Sequence, residues 1–91
     1  MEWLTSGLRR DICVLLYGEE RRGQKLKSAL ESHYDRRVKP RQFQGAMASL
    51  VDNGHVEKRV DGIADSYVLT DAGAAAVEAH YEWMRGHVED E

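Results

Sequence analysis

Ninety-one residues hold one small domain, and a chain this short buries a modest share of its surface, so a second copy sharing its core is expected. No stretch approaches the ~20 apolar residues of a membrane span, the start lacks a secretion signal, and the single cysteine, Cys13, excludes an intrachain disulfide framework; a soluble cytoplasmic protein without a membrane partner is expected. The formal charge of −3 disfavours a nucleic-acid partner only as a sum: residues 21–41 hold eight Lys or Arg against two acids (+6), residues 1–20 two against four (−2), and residues 42–91 three against ten (−7).

Nine Arg against four Lys, with 16 acids, suit either a protein working in concentrated salt or a GC-rich genome. The first apolar segment runs from Leu8 to Tyr17, with Leu8, Ile12, Leu15 and Leu16 at helical spacing. Thr5 or Ser6 can cap it and Gly18 stops it. Val14 lies off the main stripe, so the second half of this helix is apolar nearly all round, and the helix is expected between the core and a further element, such as the terminal helix.

A second helix is predicted over 23–34, with Leu26, Ala29, Leu30 and His33 or Tyr34 inward. A basic turn, residues 35–39, follows. Pro40 then opens a third helix, where its missing N–H costs nothing, and Phe43, Ala46, Met47, Leu50 and Val51 form its inward face. Asn53 and Gly54 end it. Residues 55–60 and 66–69 read as two strands around an Asp61-Gly62 turn. Thr70 caps a last helix reaching about Val88, with Asp71 at its positive end.

The fold class expected is mainly α with a small β-hairpin wing: a winged helix-turn-helix DNA-binding domain over 1–70, then a dimerisation helix and acidic tail over 71–91. The stretch Leu50-Val51-Asp52-Asn53-Gly54-His55-Val56-Glu57 has the form in which a recognition helix enters a wing. Tyr67-Val68-Leu69-Thr70-Asp71-Ala72-Gly73 has the "Tyr-x-Leu-Thr-x-x-Gly" form that closes one. Over roughly residues 6–88 the chain resembles PadR-type winged-helix transcription regulators, particularly short versions common in haloarchaea.

The predicted function is sequence-specific binding of double-stranded DNA by a homodimer, at an inverted-repeat operator, with residues 40–53 in the major groove. Base reading falls to Arg41, Gln42, Gln44, Gly45 and Ser49. Arg pairs with guanine and Gln with adenine, while Gly45 and Ala48 permit close approach. Phosphate contacts are expected from Arg21, Arg22, Lys25, Lys27, Arg36, Arg37 and Lys39, with Lys58 and Arg59 at the hairpin base. The wing tip, residues 60–65, holds two acids and no base. Either it does not touch DNA, or cations sit between its acids and the phosphates.

The terminal helix carries apolar stripes at coiled-coil-like spacing. Ala76, Val77, Ala79, His80, Tyr81, Trp83, Met84 and Val88, joined by Trp3 and Leu4, are the expected dimer contacts. Cys13 reads as a buried structural thiol, and His33, His55, His80 and His87 lack close ligand spacing. No catalytic motif, metal, cofactor or effector pocket is legible. The alternative function is a winged helix that binds protein rather than DNA, since fold alone does not settle function.

Overall fold

The computed structural model describes residues 7–62 and 64–89. Its order is α1 (Gly7–Leu16), β1 (Arg21–Arg22), α2 (Gly23–Tyr34), α3 (Pro40–Asp52), β2 (Val56–Asp61), β3 (Ala64–Leu69) and α4 (Asp71–Glu89). This is the expected class, four helices and a small antiparallel sheet. The capping expected of Thr5 or Ser6 lies outside the described residues.

The core lies where the three-helix cluster meets the sheet. Ile12, Cys13 and Leu16 of α1, Leu26 and Leu30 of α2, and Leu50 of α3 are fully buried. Phe43, Met47, Val38 and Val56 close around them. α1 stops at Gly18, whose φ of 74° suits a residue without Cβ. α2 ends at Asp35 in the left-handed region (φ 55°, ψ 41°), and the Arg36 N–H donates back to the Glu31 carbonyl.

The link from α2 to α3 is organised by one carboxylate. Glu31 accepts the Val38 N–H (2.8 Å) and Lys27 Nζ (3.0 Å). The Val38 N–H first, then Lys27, holds its pKa below the ordinary value. Val38 is thereby seated in the core, and Pro40 starts α3 as expected.

The sheet has order β1-β3-β2, one strand more than expected. Arg21 and Arg22 pair antiparallel with Tyr67 and Ser66. Two arginines carry no period-two apolar signal, so nothing in their sequence marks a strand. Tertiary contacts recruit them: Arg21 Nε donates to the Leu15 carbonyl (2.8 Å), and Ser66 Oγ donates to Glu20. β3 also starts at Ala64 rather than Ser66, because pairing continues out to Asp61↔Ala64 across a two-residue connection.

Thr70 sets the entry of α4. Its Oγ1 accepts the Gly73 N–H (3.1 Å) and donates to the Gly54 carbonyl (2.6 Å). A Cβ on Gly73 would stand 2.1 Å from the His55 backbone oxygen, so only glycine lets α4 dock this closely. Past Val77 the helix leaves its own domain: residues 81–89 are all exposed. Among the described residues no helix is long and apolar enough to cross a membrane.

Candidate nucleic-acid interface

α3 buries Phe43, Met47 and Leu50 and leaves Arg41, Gln42, Gln44, Gly45 and Ala48 exposed on its other side. Four of the five expected base readers are therefore open to a ligand. Ser49 is half-buried instead, turned toward α1, where Arg9 Nη1 lies 3.5 Å from its Oγ. Arg9 was not expected near this face; only packing of α1 on α3 brings it there.

The expected phosphate ligands divide by their surroundings. Arg21 is held by Glu19 (2.9 Å), Lys27 by Glu31 (3.0 Å), Lys58 by Asp65 (3.3 Å), and Arg59 by Glu20 and Glu57 (3.1 Å each). Arg10 and Arg85 are also paired, with Asp11 and with Glu82 and Glu89. Arg22, Lys25, Arg36, Arg37, Lys39 and Arg41 are exposed and form no ion pair among the described residues, although the Arg37 charge helps hold Glu31 ionised. All six lie on β1, α2, the α2–α3 link or the first turn of α3.

The link is stiffened from below. Tyr34 donates its hydroxyl to Asp11, and the Arg36 guanidinium sits 5.6 Å from the Tyr34 ring centroid. Burial, then the Asp11 hydrogen bond, pushes the Tyr34 phenol up to about 12. Beside α3 lies an open groove of about 880 Å³, bounded by the start of α2, one flank of α3 and the hairpin. Arg22, Lys27, Gln44, Asp52, Lys58 and Asp65 line it.

A second surface is apolar. Tyr81, Met84 and Val88 continue the stripe by which Val77 packs on the core, and they are exposed, as is Trp83 (60%). Ala76, expected at a partner, is buried in its own domain. Ala79 is exposed and His80 half-buried. Trp83 stacks between His80 and His87, with ring centroids 5.8 and 4.4 Å away. Val14 of α1 and Tyr17 just after it add exposed apolar area, and the Tyr17 hydroxyl meets Glu78 of α4. Trp3 and Leu4 lie outside the described residues. Cys13 is fully buried, which pushes its thiol up to about 12, far from a reactive thiolate. No cluster of potential metal ligands occurs among the described residues.

No family model and no curated protein matches the sequence. Among solved structures, RosR from H. salinarum is 30% identical, superimposes with a TM-score of 0.86, and matches 90% of this chain and 76% of its own. The chain belongs to the winged helix-turn-helix family. The same winged helix recurs in a homodimeric DNA-binding domain from Mycobacterium bovis, a possible ArsR-family transcriptional regulator, at 22% identity and TM-score 0.76 over 99% of this chain and 79% of that one. It recurs again in the transcriptional regulator HlyU from Vibrio vulnificus, at 17% identity and TM-score 0.74 over 90% and 80%. At these identities the last two establish the winged-helix fold alone. In its terms α3 is the recognition helix and the β2–β3 hairpin the wing.

Proposed function

We propose that this winged helix is a sequence-specific double-stranded DNA-binding transcriptional regulator acting as a homodimer. The observation that carries the reading is the distribution of exposed cations outside any ion pair among the described residues. Arg22, Lys25, Arg36, Arg37, Lys39 and Arg41 are exposed, form no ion pair among the described residues and lie on β1, α2, the α2–α3 link and the first turn of α3, in a protein of net negative charge. A polyanion that follows the α2–α3 turn supplies what they lack. Arg41, Gln42, Gln44 and Gly45 then face base edges, with Ser49 at the α1 side, while the other cations fix the register on phosphates.

The overhanging half of α4 supports the dimer. A second copy covering Tyr81, Trp83, Met84 and Val88 would convert a long exposed apolar stripe into a shared core. Residues 71–91 thus form the dimerisation part and 1–70 the DNA-binding part. The motifs at 50–57 and 67–73 support a PadR-like assignment, and the acid-rich, lysine-poor composition together with the likeness to RosR supports a halophilic, archaeal setting. Sheared genomic DNA retained by the protein at moderate and high KCl tests the reading. An inverted repeat with half-sites about one helical turn (~34 Å) or a multiple apart is expected. Retention of protein partners without any enriched DNA would favour an interaction module.

A further inference from the structure

The groove beside α3 is electrically uneven. Of its cations, Lys27 is held by Glu31 and Lys58 by Asp65, which leaves Arg22, at the α2 end, open among the described residues. Carboxylates stand at the opposite side: Asp52 on the last turn of α3, and Asp65 on the wing. The wing's register explains the second. Lys58 lies opposite Tyr67 and Val60 opposite Asp65, so Lys58 and Asp65 are diagonal neighbours on one sheet face. That face lines the groove, and Lys58 Nζ reaches Asp65 Oδ2 at 3.3 Å with both side chains 46% exposed.

An exposed ion pair of this kind adds little to stability. Its position gives it a different effect. Lys58 is the one wing cation that lines the groove, and Asp65 is the acid placed to occupy it. We propose that Asp65 is a specificity-determining residue, whose carboxylate keeps Lys58 from gripping DNA phosphate. Phosphate contacts strengthen binding to every sequence alike, whereas base contacts discriminate. A wing without a phosphate grip leaves more of the affinity to α3. The inference rests on the DNA-binding reading above.

The test uses the full chain as wild type, Asp65→Asn, Lys58→Ala and the double variant. Binding of a non-specific duplex and of the retained genomic fragment is followed against KCl. Asp65→Asn is expected to bind the non-specific duplex several-fold more tightly, with the specific-to-non-specific ratio reduced. Its plot of log K against log[KCl] is expected to steepen by about 1 per protomer. The double variant is expected to match wild type, Lys58→Ala, which bares the Asp65 carboxylate, to gain no affinity for either duplex, and thermal unfolding to be unchanged throughout. An unchanged slope in Asp65→Asn, or a steeper slope that persists in the double variant, would overturn the proposal. Wild type retaining no duplex at any salt would instead bring down the DNA-binding reading, and the inference with it.

Discussion

Arg37 and Arg41 stand four residues apart, both exposed and outside any ion pair among the described residues, yet the structure gives them different neighbours. Arg37 lies on the α2–α3 link and Arg41 at the second position of α3, the part of a recognition helix that enters the groove. Arg37→Ala should therefore weaken specific and non-specific DNA alike and reduce the salt slope by about 1 per protomer. Arg41→Ala should cost about 1–3 kcal/mol against the preferred site and relax preference at one base position. Titrations against a library of half-site variants separate the two, and a sequence-selective loss in Arg37→Ala would contradict the assignment. The exposed arc of α3 was legible because helical spacing alone places Phe43, Met47 and Leu50 opposite it. The pairing of Lys58 with Asp65 and of Arg59 with Glu20 was not, since those acids come from other segments and only the fold brings them near.

At the scale of elements, the α2–α3 link depends on Glu31 more than on its own five residues. Its carboxylate binds a backbone N–H as well as Lys27, and both contacts favour the charged form. Because the folded pKa is depressed, the stabilisation is present above the unfolded value and is lost as pH falls through the folded one. Urea midpoints measured across the acid range should fall less steeply for Glu31→Gln than for wild type; parallel curves would remove Glu31 from this role. The helices α3 and α4 follow the sequence because their starts carry local signals, Pro40 at the first position and Thr70 as cap. β1 escapes such reasoning. It consists of two arginines held by Tyr67, Ser66 and the Leu15 carbonyl, all distant in sequence or outside the strand.

At the largest scale the described residues span 48 × 29 × 21 Å, an elongated shape. α4 has 19 residues, about 28 Å of helix, and its second half runs past the domain with an apolar stripe uncovered. Tyr81→Glu with Met84→Glu should halve the mass seen by sedimentation while leaving the secondary structure of the domain in place. The same variant should lose cooperative binding to a two-half-site fragment. A wild-type protein that is already monomeric at working concentration would remove the dimer from the account. Stripe spacing in the sequence showed that α4 has more apolar face than one domain needs, but not where the domain stops. The buried Ala76 and the exposed Tyr81 mark that boundary.

DNA binding by the exposed cations around α3 underlies every scale of this description. It is tested most directly by comparing the genomic fragments retained by wild type and by an Arg36→Gln, Arg37→Gln, Arg41→Gln variant at several KCl concentrations. The account predicts that wild type enriches an inverted repeat and that the variant, folded and dimeric, enriches none. Equal enrichment by the two proteins would contradict it.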